Sequence, residues 1–276
     1  MPVAIITGAS RGLGRALAEE LAGRGWDLVL DGRDADRLRA SVRDLERDRT
    51  DDPTTLKSGE SHNAPYIGDK GARGPQGGST APDRPARGRV RAVAGDVTRP
   101  EHRAELVAAA RELGGGAGPD LLVNNASSLG AEPLVPLAEL AEDGLREALE
   151  TNVMAPFALV RAALPGLRAA GGAVLNVSSD AAVAAYPTWG GYGASKAALD
   201  HLSAVLAEEE PAVRVWWVDP GDLRTELYAA AVPDDPDFAE RLLPEQVAPA
   251  VLRLLDGPAG SGRYVAAELA GPKEAR

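Results

Sequence analysis

The chain has 276 residues, 44% of them apolar, enough to bury one large α/β core and showing no second stretch of comparable weight. It carries 41 acidic against 30 basic residues, a net charge of −11 and no basic stripe, which argues against nucleic acid as a partner. The absence of cysteine excludes disulfides, thiolate nucleophiles and zinc–cysteine sites, and the scattered His62, His102 and His201 have no metal-ligand spacing.

The N-terminus enters an aliphatic run directly, without a basic leader and cleavage site, and no apolar run approaches the ~18 residues of a membrane span. A cytoplasmic location without a membrane partner is therefore expected. Residues 3–7 read as a first buried strand, followed by an amphipathic segment at 12–24, a strand at 27–31 and a helix at 34–47. Residues 48–88 then break the rhythm. They contain seven glycines and five prolines, and Leu56, Tyr66 and Ile67 are their only large apolar side chains. Such a stretch buries too little surface to offset its ordering entropy, so it reads as a flexible insertion whose charges cancel. Alternation resumes with strands at 90–94, 121–124, 173–177 and 213–218 and helices at 100–113, 143–169 and 192–209; a helix at 244–255 and a strand at 263–267 complete seven strands. Regular alternation of this kind implies right-handed crossovers and a parallel sheet covered on both faces, within one domain spanning 1–276.

Chemistry-bearing residues fall at the strand ends. Thr7-Gly8-Ala9-Ser10-Arg11-Gly12-Leu13-Gly14 follows the first strand and opens the first helix, the context in which a glycine pattern signals phosphate binding. Gly8 permits the tight turn, Gly12 lets backbone approach a pyrophosphate and Gly14 allows close packing, while the helix N-terminus offers unpaired N–H groups. At the tip of the second strand runs Leu30-Asp31-Gly32-Arg33. An acid there bonds the ribose hydroxyls of NAD and repels the 2′-phosphate of NADP, and Gly32 takes the acid position. Arg33 and Arg11 can place two guanidinium groups around a phosphate, so NADP is expected over NAD; a register shifted by one residue would instead make Asp31 the ribose acid.

Ser179 lies just past the fifth strand, and Tyr192 and Lys196 follow in Tyr192-Gly193-Ala194-Ser195-Lys196. Residues four apart share a helix face, so the ammonium would lie beside the phenol and bring its pKa, ordinarily ~10, toward working pH. A carbonyl that accepts hydride needs a donor to hold its oxygen and an acid to protonate it; Ser179 and Tyr192 suit those roles.

Taken together, these motifs resemble the short-chain dehydrogenase/reductase family, in its TGxxxGxG/YxxxK subfamily, over nearly all of the chain outside 48–88. Residues 7–14 match the glycine turn, Asp96-Val97 the adenine-contacting pair, and Asn124-Asn125-Ala126 the segment after the fourth strand, with Ser127 where that family usually has glycine. Asn152, Ser179, Tyr192 and Lys196 match the catalytic tetrad, and Pro220-Gly221 with Thr225 the loop that cradles nicotinamide. The resemblance implies a Rossmann-type, doubly wound, mostly parallel seven-stranded sheet, with Lys196 on the nicotinamide ribose and Asn152 holding a water that links Lys196 to solvent. It also implies NADP-dependent interconversion of a ketone or aldehyde with an alcohol, in a homodimer or homotetramer paired through the helices at 143–169 and 192–209. Asp180 and Trp189, between the serine and the tyrosine, are expected to face substrate, and the polar segment 222–243 suits a lid. Two other readings share the same residues: a nucleotide-responsive binding protein that uses the 48–88 insertion, and a reductase of an activated C=C bond.

Overall fold

The computed structural model describes residues 1–47 and 88–270. The expected insertion lies outside the described residues, apart from Gly88. Seven strands form one sheet in the order β3-β2-β1-β4-β5-β6-β7, with every neighbouring pair parallel. They are β1 (Val3–Ile6), β2 (Asp27–Gly32), β3 (Val90–Ala94), β4 (Leu121–Asn124), β5 (Ala173–Val177), β6 (Arg214–Asp219) and β7 (Gly262–Val265). The central strand β1 shows why a continuous apolar run folds this way. Val3 and Ile5 point to one face, where they pack with Val29, Leu122 and Val174, while Ala4 and Ile6 point to the other with Leu28, Leu30 and Val123.

Helices cover both faces. On the Val3/Ile5 side lie α3 (Pro100–Leu113) and α5 (Ala155–Ala170), burying Leu106, Leu159 and Leu167. On the other side lie α1 (Gly12–Gly23), α2 (Ala35–Arg47), α8 (Pro244–Val251) and α9 (Arg253–Asp256), burying Leu17, Leu38, Val247 and Leu254. This is the doubly wound architecture expected from the alternation. The expected helix at 143–169 is α4 (Glu142–Leu149) joined to α5 through a π-helical turn, Glu150–Met154, which carries Asn152. The continuous run Glu142–Ala170 is long and apolar enough to cross a membrane by length and composition, which corrects the expectation that no segment reaches that size. Its apolar face packs on the sheet as a core helix does. The helix expected at 192–209 starts two residues earlier, as α6 (Gly190–Glu209), and the segment expected to form a lid contains α7 (Glu226–Ala231). A short α10 (Ala266–Leu269) follows β7.

The strand order reverses between β1 and β4, so the connections after them diverge to opposite faces. In open parallel sheets, that divergence leaves a crevice at the carboxyl ends of the strands.

Candidate active site

A cavity of about 690 Å³ occupies that crevice, bounded by residues including Gly12, Asp96, Asn125, Ser179, Tyr192 and Gly221. Of the residues expected to bind or react, it also gathers Gly8, Ser10, Arg11, Leu13, Arg33, Val97, Ala126, Asp180, Trp189, Lys196, Pro220 and Thr225. Thr7, Gly14 and Asn152 stand behind its wall.

Those three build the wall. The buried Thr7 hydroxyl accepts the backbone N–H of Asn125 at 2.9 Å and of Ala126 at 3.0 Å, and the Asn125 amide donates to the carbonyls of Thr7 and Gly8 at 2.9 and 3.1 Å. The end of β4 is thereby locked to the turn after β1. Gly14 is required by close approach, since a Cβ there would lie 2.5 Å from the Gly8 carbonyl oxygen; Gly8 takes φ +64° against the Ala126 backbone. Asn152 uses all its hydrogen-bonding capacity on protein. Its amide donates to the Ser128 carbonyl and the Ser195 hydroxyl, and its oxygen accepts the Ser128 N–H and the Ser127 hydroxyl, at 2.8–3.2 Å.

At the adenosine end, α1 begins without a side-chain cap, so its first N–H groups face the cavity unsatisfied by any capping side chain. Asp31 is buried with both oxygens engaged: one accepts the Gly8 N–H at 3.1 Å and the other contacts His102 Nε2 at 2.6 Å. Both oxygens thus shape the turn, and Gly32, the last residue of β2, follows without a side chain. Arg33 follows, and Asp34 accepts the N–H groups of Asp36 and Arg37 at 3.0 Å, turning the chain into α2. Arg37 is a third guanidinium in this wall that the sequence reading missed; the available signal was its position one helical turn after Arg33. Arg11 and Arg37 both bind Glu226, at the first turn of α7, and these bonds hold its carboxyl below the usual glutamate range. Asp96 is also held below its usual range: burial opposes ionisation, but hydrogen bonds from Thr98 and the charges of Arg33 and Arg99 outweigh it.

At the reacting end, Tyr192 is 7% exposed and Lys196 2%. The Lys196 ammonium lies 5.5 Å from the Tyr192 ring centroid and donates to the Val177 carbonyl at 2.8 Å. It sits over the ring, and the phenol is raised where a lowering was expected. Burial pushes the Tyr192 phenol up to about 12, with a hydrogen bond from Ser127 opposing and Asp180 and Asp219 adding to the rise. The same burial pulls Lys196 down to about 8, opposed by Asp200. Desolvation of the charged forms outweighs their attraction, and Tyr192 stands as a neutral phenol. Ser179 caps the short helical turn after β5: its oxygen accepts the Ala181 N–H at 3.1 Å and its proton goes to Asp180 at 3.0 Å. Trp189 meets Tyr192 edge-on, with centroids 5.6 Å apart. The segment after β6 is tied down by Arg241, which bonds Asp222 at 3.1 Å and Asp235 at 3.0 Å.

Comparison with known proteins agrees with this fold. Sepiapterin reductase of Xenopus laevis is 32% identical over 251 residues, covering 87% of this chain and 81% of that protein. An alcohol dehydrogenase of the archaeon Thermococcus sibiricus, solved with 5-hydroxy-NADP, superposes with a TM-score of 0.74 at 27% identity, covering 96% of this chain and 95% of the other. A short-chain dehydrogenase of Sphingobium yanoikuyae, solved with NADPH, gives 0.72 at 27% identity over 95% and 87% of the two chains. The model of the short chain dehydrogenase family matches residues 2–57 and 78–236, so the chain belongs to that family.

Proposed function

We propose that the protein is an NADP-dependent oxidoreductase that interconverts a ketone or aldehyde with an alcohol. The observation that carries this reading is the convergence, in one cleft, of Arg11 in the glycine turn, Arg33 after β2 and Arg37 on α2 with Ser179, Tyr192 and Lys196. The residues present fit the cofactor. The glycine turn packs tightly on the end of β4 and borders the cleft at Gly12, α1 points uncapped N–H groups into the cleft, and Gly32 puts no carboxylate in the way of a 2′-phosphate that Arg11, Arg33 and Arg37 can hold. Asp96 and Val97 would border the adenine, Asn125 and Ala126 the central stretch, and Pro220, Gly221 and Thr225 the nicotinamide. The related structures bound to NADP-type ligands support the choice.

A bound nicotinamide supplies the hydride. As charge grows on the substrate oxygen, Ser179 turns its proton from Asp180 to that oxygen and stabilises it. Tyr192, neutral at working pH, hands over its own proton. The Lys196 ammonium over the ring then favours the phenolate that remains. Trp189 and Asp180 border the substrate's side of the cleft. Exposed Met154 in the π-helical turn, Phe157 on α5 and Leu202 and Val205 on α6 support pairing of subunits through these helices, and light scattering at micromolar concentration should give a dimer or tetramer.

The test is NADPH consumption against a panel of ketones, aldehydes and quinones, with Tyr192→Phe in parallel. Loss of the acid should cost about 10²–10⁴ in kcat. Turnover within tenfold of wild type would refute the assignment.

A further inference from the structure

Behind the Tyr192–Lys196 pair lies a cluster of charges that the reaction as described leaves unused. Asp200, one helical turn beyond Lys196 on α6, has a side chain only 12% exposed. One of its oxygens accepts the Ser178 hydroxyl, and the other accepts Arg263 Nε at 3.2 Å, from a guanidinium that arrives on β7. The same guanidinium donates through Nη2 to the backbone carbonyl of Ser179 at 3.1 Å and lies 3.6 Å from Asp219 at the end of β6. One arginine–carboxylate pair therefore joins β6, β7, α6 and the backbone of the serine that faces substrate.

We propose that Asp200, fixed by Ser178 and Arg263, is a positioning residue that keeps the buried Lys196 ammonium charged without capturing it. An ammonium has three donors, and among the described residues Lys196 donates to the Val177 carbonyl, so burial drives it toward the neutral amine. The charged and titratable groups near it are Tyr192, whose ring it faces, Asp200 on α6 with its partner Arg263 on β7, and Asp180 and Asp219, which line the same cavity. Among them, Asp200 opposes that loss of charge, and Lys196 in turn helps to hold Asp200 ionised against its own burial. With both oxygens occupied by Ser178 and Arg263, the carboxylate acts through its field. Freed of Arg263, it could swing to Lys196 and draw the ammonium off the Val177 carbonyl and away from the Tyr192 ring. Arg263 also ties that electrostatic support to the Ser179 backbone, so the acid's helper and the oxygen-holding serine keep one geometry.

What the charge is for rests on the proton-transfer reading above; that it exists does not. Lys196 can be watched directly, because the chain has only four lysines, Lys57, Lys70, Lys196 and Lys273. Lysine labelled with ¹³C at the ε carbon, titrated by NMR in the full protein without substrate or cofactor and assigned with Lys196→Arg, gives its midpoint. Asp200→Asn, which keeps the shape and the contact to Ser178, should lower that midpoint by about one pH unit. Arg263→Gln should raise it, and Asp200→Glu should keep most of the wild-type value. The alkaline limb of the NADPH-oxidation profile should move in the same directions. A midpoint unmoved in folded Asp200→Asn protein, or lowered by Arg263→Gln, overturns the proposal. A merely structural role would change the melting temperature and leave the midpoint alone. If the midpoint moves as stated while Tyr192→Phe stays active, the positioning of Lys196 stands and the reaction reading fails; a fixed midpoint beside an inactive Tyr192→Phe gives the converse.

Discussion

Replacing Lys196 by methionine should stabilise the protein at neutral pH while it disables the site. Lys196 falls from its ordinary 10.5 to about 8 on folding, and at ~1.4 kcal/mol per pH unit the buried ammonium costs about 3 kcal/mol. Methionine fills similar volume without charge but forfeits the bond to the Val177 carbonyl and the ammonium's attraction to the Tyr192 ring, each worth about 1 kcal/mol, which leaves a net gain of about 1 kcal/mol. The pH dependence carries a distinct sign. Because the folded pKa lies below the unfolded one, the unfolded chain holds the extra proton from about pH 8 upward, and wild-type stability rises there by up to ~1.4 kcal/mol per pH unit. Tyr192 acts oppositely: its folded pKa of about 12 exceeds the ordinary 10, so its contribution is present below pH 10 and is lost as pH rises through 12. The diagnostic window is therefore about pH 8 to 10. With no cysteine in the chain, no thiol titrates within it. Urea unfolding followed by tryptophan fluorescence at pH 7, 8, 9 and 10 should show wild type gaining stability and Lys196→Met staying level from a higher start. Parallel curves, or a variant less stable at pH 7, would refute the burial argument.

Glu226 occupies two of the arginines assigned to the 2′-phosphate, so Glu226→Gln should tighten NADPH binding several-fold by calorimetry and leave NADH unchanged; equal effects on both would place the contact elsewhere. Arg37→Ala should weaken NADPH binding by about 1.5–3 kcal/mol, the range for a charge-assisted bond, with little change for NADH. The Ser127 hydroxyl, which donates to Asn152, also opposes the rise at Tyr192, so Ser127→Gly should raise the Tyr192 pKa further and move the alkaline limb of kcat/KM upward; a downward move would contradict that influence. Gly14→Ala puts a methyl group against the Gly8 carbonyl and should yield insoluble or unstable protein, read by yield and melting temperature.

The sheet was legible because buried parallel strands are short aliphatic runs separated by helix-length segments, and nothing else in the chain competes with that pattern. Residues 121–124 and 173–177 were placed to the residue for this reason, as β4 and β5. The π-helical turn at Asn152 was not legible, since its extra residue per turn leaves the apolar pattern almost unchanged. The glycine turn was legible through its glycines, and Arg37 was lost because an arginine in the first turn of a helix reads as surface. The failure at Tyr192 is instructive. Spacing brought Lys196 near the phenol, but spacing carries no information on burial, and burial decides the sign of both pKa values. Asp200 and Arg263, 63 residues apart, meet only because β7 pairs with β6 beside α6.

The central claim is hydride delivery to a carbonyl carbon with Tyr192 protonating its oxygen. It is tested most directly with NADPH carrying deuterium at the transferred position and a substrate from the panel that the enzyme turns over, followed by mass and NMR analysis of the product. The account predicts one deuterium on the carbon that bears the new hydroxyl, formed at a rate that collapses in Tyr192→Phe. Deuterium on a carbon of a former C=C bond, or labelled product formed equally fast by the phenylalanine variant, would contradict it.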